Sequence, residues 1–236
     1  MKLPSERTSG FTHIRHARSL WYGPPKIGKS TLLSGFPDSL FLATEKGYVS
    51  LKIYKIDIRT WEEFKDAVEL VVKGKHTFKT IVIDVVDILY DLCEDYICTK
   101  MDIEHVSDED WGKAYSAVRK EFESELNKLF MTDYGIAFVS HIKTDEIVAK
   151  AGRYSKVVPS VSKAARRILI PKVDIIGCMR LKTVKLKSGE FIEKRVVSFD
   201  PSEFMESGDR TGRLPTEVTL TKDAKKNYEL LEAFYK

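Results

Sequence analysis

The segment Gly23-Pro24-Pro25-Lys26-Ile27-Gly28-Lys29-Ser30, closed by Thr31, has the residue types and spacing of a loop that cradles phosphate groups. Glycines let the backbone curl until its N–H groups point inward, and a helix starting at Lys29 adds its positive N-terminal end. Residues 23–31 are therefore the expected nucleotide-binding set. Lys29 is expected to neutralise the β and γ phosphates of ATP, and the Ser30 hydroxyl to complete the shell of a Mg2+ ion. Lys26 stands where many such loops have glycine, which would put one more positive charge beside the ligand. A plain glycine turn is the competing account, but the apolar strand before the loop and the helical start after it are the context that the motif requires.

Two carboxylates close apolar runs further along. Asp84 ends Thr80-Ile81-Val82-Ile83, and a strand C-terminus beside a phosphate loop puts a carboxylate where the waters of Mg2+ must be held. Its alternative is a strand-terminal turn residue, while Asp87 reads as a helix-start residue rather than a ligand. Glu45 follows Leu40-Phe41-Leu42-Ala43 and is the candidate base or orienting group for a hydrolytic water, against the plainer role of an exposed loop glutamate.

The elements that must position these residues alternate between apolar runs and helical patterns, the signature of βαβ units and a largely parallel sheet. Strands are expected at 18–22, 40–43, 52–56, 80–84 and 136–140, with later strands at 173–181 and 191–199 around the turn Lys187-Ser188-Gly189-Glu190. Thr60-Trp61-Glu62-Glu63 has capping-box spacing and opens a helix whose apolar face is Trp61, Phe64, Val68, Val71 and Val72. Further helices are expected over 87–100, along Trp111, Tyr115, Val118, Phe122, Leu126 and Leu129, over 163–170 behind a Ser162 cap, and over the tail 222–236. Trp111 is read as core, and a polar loop as the opening of the segment after 142.

Composition bounds the rest. A chain of 236 residues with 43% hydrophobic and 31% charged residues can bury one substantial core, so one domain is expected over 1–236, with its body at about 18–199 and a C-terminal extension at about 200–236. No apolar stretch approaches the roughly 20 residues that cross a bilayer, and Met1 to His16 is too polar for a secretory segment, so no membrane partner and a cytoplasmic location are expected. Cys93, Cys98 and Cys178 form no C-x-x-C pair and read as reduced packing residues, and His13-x-x-His16 as a solvated pair. The net charge of +4 is mild, yet residues 142–172 carry Lys143, Lys150, Arg153, Lys156, Lys163, Arg166, Arg167 and Lys172 against only Asp145 and Glu146, so the positive field is concentrated there.

Glu45 after the second strand, Asp84 after an apolar strand, and Phe138-Val139-Ser140-His141-Ile142-Lys143 after a further strand, in this order behind the phosphate loop, resemble the RecA-type recombinase core. The layout from about Arg18 to Phe199 is similar to compact phage RecA-like ATPases that act in single-strand annealing or recombination. The resemblance implies an α/β RecA-like P-loop fold, a mostly parallel central sheet flanked by helices, with a C-terminal β-hairpin extension. It also implies that Glu45 polarises the attacking water and that His141, where the family commonly has glutamine, senses the γ-phosphate. Histidine departs from that pattern and titrates near pH 6.5, which would make the coupling depend on pH; a histidine that merely caps the strand is the alternative.

The basic window falls where such proteins place the mobile loop that grips single-stranded DNA. Lys143, Lys150, Arg153, Lys156 and Lys163 would contact phosphates and Tyr154 would stack on a base, unless the run is only a solvated face. Arg166 and Arg167 would be candidates to reach ATP of a neighbouring subunit. The expected partners are ATP, Mg2+, single-stranded DNA, further copies of the chain in a ring or filament, and a single-strand-binding protein. The rival expectations are a helicase loader, a packaging-motor ATPase, and a nucleotide-gated binding protein with little hydrolysis.

Overall fold

A computed structural model of the chain describes Leu3, Ser5 and residues 10–149 and 152–236. The strands are β1 (Arg18–Tyr22), β2 (Ser39–Ala43), β3 (Tyr54–Asp57), β4 (Thr80–Asp84), β5 (Gly135–Ser140), β6 (Ile142–Ala149), β7 (Gly152–Pro159), β8 (Ile175–Lys185), β9 (Phe191–Ser198), β10 (Gly208–Asp209) and β11 (Glu217–Thr219). The helices are α1 (Lys29–Ser34), α2 (Trp61–Val72), α3 (Val86–Met101), α4 (Lys113–Phe130), α5 (Lys163–Leu169) and α6 (Ala224–Glu232). No described helix is long and apolar enough to cross a membrane.

The central sheet runs β11-β9-β8-β1-β5-β4-β2-β3, with β10 paired to β8. From β8 to β3 every neighbouring pair is parallel; β9, β10 and β11 add antiparallel pairings, so the β8–β9 hairpin extends the sheet on its C-terminal side. Alternation divides each central strand between two cores. Leu20 and Tyr22 of β1 pack under α2, α3, α4 and α5 with Phe64, Leu89, Phe122 and Leu169, whereas Trp21 packs on the opposite face with Leu32, Leu33, Phe199 and Leu231.

Local chemistry sets the helix ends. The Thr60 side chain accepts from Glu63 N, the Ser162 side chain from Ala165 N, and the Asp223 side chain from Lys226 N. The expected third strand sits slightly later than 52–56, because its pairing with β2 is fixed by the register of Leu40 on Tyr54 through Ala43 on Asp57.

Two expectations are overturned. The opening of the basic window is a regular antiparallel hairpin, β6 on β7, with Ile142 opposite Pro159 and Ile147 opposite Tyr154, rather than a polar loop. Trp111 is 96% exposed rather than core. It sits in a tight turn with φ of 62° one residue before Gly112, the cap of α4, so it lies outside the helical face that Ala114, Val118 and Phe122 bury. The cysteines form no disulfide; Cys93 and Cys178 are buried.

Candidate functional site

The parallel strands converge on one edge of the sheet, where β1, β2, β4 and β5 each release a polar residue. The phosphate loop leaves β1 with Lys26 at φ 63° and Gly28 at φ 100°, a left-handed pair of turns that aims successive N–H groups to one side. Gly28 can occupy that region without strain. Gly23 is demanded by packing, since a Cβ there would come within 2.4 Å of the Met179 carbonyl oxygen on β8. Ile27 turns inward and anchors the loop in the α1-side core.

Lys29, Ser30, Thr31, Pro25, Lys26, Gly28, Glu45, Asp84 and His141 line a single cleft of about 510 Å³, so the expected site residues on four elements do meet. This volume lies in the range of small-molecule pockets. Lys29 is buried, and its ammonium donates to the carbonyls of Gly23 at 2.8 Å and Pro24 at 3.0 Å. Burial pushes that ammonium below its ordinary value, while Asp84, Glu45 and Asp87 pull in the other direction.

Asp84 is 2% exposed, and one carboxylate oxygen, Oδ2, is buried without a hydrogen-bond partner. Burial pushes its carboxyl above the usual carboxylate range, against opposing contributions from the Ser30 and Tyr48 hydroxyls. A buried carboxylate oxygen without a donor, beside a serine hydroxyl, is a donor set that fits a hard divalent cation such as Mg2+. The Asp84–Val85 peptide is cis.

Glu45 and His141 form a pair across the cleft, with His141 Nε2 at 3.1 Å from Glu45 Oε1. The His141 ring thus faces the carboxylate expected to handle water. Its Nδ1 is buried without a partner.

Three residues contribute that sequence reasoning did not assign. The Tyr48 hydroxyl donates to the Asp84 carbonyl at 2.9 Å, and its ring packs edge-on to Phe41. Thr44 binds both sides of the same turn, its N–H donating to the Asp84 carbonyl at 2.9 Å and its Oγ1 accepting from Val85 N at 2.8 Å. Asp87 does begin a helix, but it also accepts from the Ser140 hydroxyl at 2.8 Å, His141 N at 3.0 Å and the Ser160 hydroxyl at 2.6 Å. It thereby fastens both ends of the β6–β7 hairpin to the cleft. A lone acid in a first helical turn gives no sign of this in sequence.

Several cations of the basic window are already paired with acids. Lys156 pairs with Glu206 at 2.7 Å, Arg166 with Asp145 at 2.6 Å, Arg153 with Glu146 at 3.6 Å, and Lys143 stands 3.9 Å from Asp145. Tyr154 packs edge-on against Phe204, and Lys150 lies outside the described residues. Among the described residues, Lys163 and Arg167 have no ion-pair partner; they face Arg119 and Lys120 of α4 across a cleft of about 640 Å³ that also holds the Lys172–Glu123 pair.

A phosphate loop after β1, an acid after β4, and a strand, β5, interposed between them in a parallel sheet define a P-loop ATPase domain with RecA-like architecture. The AAA domain family matches residues 15–211, most of the chain, and the chain belongs to that family. The SPbeta prophage-derived uncharacterized protein YorG of Bacillus subtilis (strain 168) is 27% identical over 162 residues, covering 65% of this chain and 46% of that protein. The chain thus spans about half the length of the curated relative it matches. Among solved structures, the flagellar accessory protein FlaH from Methanocaldococcus jannaschii aligns with a TM-score of 0.44 at 10% identity, over 87% of this chain and 84% of that one. The Legionella pneumophila ATPase DotB aligns with a TM-score of 0.31 at 12% identity, over 78% and 46%.

Proposed function

We propose that this chain is an ATPase that couples ATP binding and hydrolysis to a grip on single-stranded DNA, in phage-type recombination or annealing, and that it works as an oligomer. The observation that carries the coupling is Asp87, which ties the strand end bearing His141 to both ends of the β6–β7 hairpin. A change at the Glu45–His141 pair when the γ-phosphate arrives or leaves would be felt at the root of the hairpin. The prophage origin of the relative fits a phage setting.

In the reaction, water attacks the γ-phosphorus in line and the bond to the β-γ bridging oxygen breaks, giving ADP and phosphate. Lys29 and the loop amides hold the phosphates, and Glu45, held by His141, orients the water. Ser30 and Asp84 would hold Mg2+, which when bound supplies neutralisation of phosphate charge. Lys163 and Arg167, which have no ion-pair partner among the described residues, would with Arg119 and Lys120 supply the electrostatic attraction for a phosphate backbone.

A second reading has its own support. The described cations of the hairpin, Lys143, Arg153 and Lys156, are paired with acids, and Val148 near its tip is 72% exposed, which suits a protein partner, as in a loader or a motor. ATP turnover measured with and without single-stranded DNA across a salt series separates the two. Stimulation that fades steeply with salt, and is lost on Lys163→Ala with Arg167→Ala, is the expected result. Turnover indifferent to DNA at low salt leaves the ATPase and removes the DNA reading.

A further inference from the structure

We infer that Arg195 is a nucleotide-binding residue that grips the α-phosphate from the side of the phosphate loop opposite to Glu45, Asp84 and His141. The inference rests on the phosphate-loop reading above.

Arg195 lies on β9, and alternation sets it on the same face as Val197 and Phe199, which pack into the core beneath α1. That face brings its guanidinium against the loop: a Cβ on Gly28 would lie 2.7 Å from Arg195 Nη1 and 3.2 Å from Cζ. The Nε is buried without a hydrogen-bond partner. Among the described residues, no carboxylate stands within ion-pair distance of the guanidinium. The contrast with Arg180 on the adjacent β8 is informative, because Arg180 donates to Ser198 and to Glu217 and is satisfied within the fold.

A guanidinium does not lose its proton to escape burial, so a partly buried one needs an anion or a set of acceptors. Among the described residues Arg195 has neither, and its guanidinium stands against Gly28 of a loop whose sequence already carries Lys26 and Lys29. Cations gathered around one loop repel each other until an anion arrives. The planar fork of arginine suits a phosphate in particular.

The sheet order says which phosphate. Glu45, Asp84 and His141 follow β2, β4 and β5, all on one side of β1, whereas β8 and β9 lie on the other. The γ-phosphate and its metal belong with the carboxylates and the histidine. The opposite flank of the loop, where Arg195 stands, is then left to the nucleoside end of the triphosphate.

An α-phosphate is common to ATP and ADP, so the test is binding of fluorescent ATP and ADP analogues by the whole chain with magnesium, with turnover measured beside it. Arg195→Ala is expected to weaken both nucleotides by the same factor, about ten- to a hundredfold, and to leave turnover at saturating ATP within about threefold. Unchanged affinity for both, or a loss confined to ATP, overturns the assignment. Arg195→Lys keeps charge and most of the stem, and is expected to lose part of the affinity because it cannot bind in bidentate fashion; full retention counts against the inference. A lowered melting temperature with unchanged affinity assigns Arg195 a structural role instead. Wild-type protein that binds neither nucleotide removes the phosphate-loop reading and this inference together. Binding that Lys29→Ala abolishes and Arg195→Ala leaves at wild-type affinity removes this inference alone.

Discussion

A carboxylate with 2% exposure and one oxygen lacking any donor is an expensive feature for a fold to keep, and the proposed role of Asp84 in holding Mg2+ would account for it. The sign of its pH effect follows from the raised folded-state value. Well below the usual carboxylate range the group is protonated in folded and unfolded chains alike, so burial costs no charge. At pH 7 the unfolded chain ionises freely while burial in the fold works against the charge, and the penalty is relieved as pH falls through the raised value. Asp84→Asn is therefore expected to raise the melting temperature of the protein without nucleotide at pH 7, to lose that advantage toward about pH 4, and to lose the magnesium dependence of nucleotide binding. Thermal melts across pH, with and without Mg-ATP, check all three. At Glu45 the expectation is different, because on the proposed mechanism its pairing with His141 Nε2 would hold the water-orienting group in place. Glu45→Gln should lower turnover by about a hundredfold or more while ATP affinity changes little. Equal turnover in the variant would make the chain a nucleotide-gated binder.

At the scale of elements, the β6–β7 hairpin is the unit whose character changed most between sequence and structure. Its strand pattern was obscured because Lys143-Thr144-Asp145-Glu146 is an unbroken polar run between Ile142 and Ile147, without the alternation that marks a strand and readable as a solvated loop. Its cations read as a phosphate grip because sequence shows charge but not pairing, and Glu206, which neutralises Lys156, lies in a distant segment. Asp87→Ala removes the shared acceptor of Ser140, His141 and Ser160 and is expected to destabilise the chain by about 1–3 kcal/mol. It should also reduce the response of turnover to DNA more than turnover without DNA. Paired turnover assays beside chemical unfolding check this, and an equal loss in both assays argues against coupling through Asp87. On the DNA reading, Lys163→Ala should lower the salt slope of binding by about one, and Lys156→Ala should change it less, since Lys156 is already paired.

For the whole molecule, the last helix closes the fold onto its first residues. The Glu232 carboxylate pairs with His13 and accepts from Ile14 N at 3.0 Å, so the histidine expected to be solvated is held by an acid from the other end of the chain. Glu232→Ala strands a buried N–H and is expected to cost about 1–3 kcal/mol. In a chain of this size that is a fall in melting temperature of roughly 2–4 °C per kcal/mol, and a melt within the error of wild type would contradict it. The phosphate loop, and the placing of Glu45 and Asp84 at the ends of buried strands on one cleft, were legible from the sequence alone, because the loop is a contiguous motif and the strands are short continuous apolar runs. The helix caps at Thr60 and Ser162 were legible for the same local reason. Only the tertiary structure decided that Arg195 meets Gly28, that Asp87 joins three donors, that Trp111 faces solvent, and which cations are already paired. Those are contacts between residues far apart in the chain, and sheet order and packing set them, quantities that no local spacing encodes.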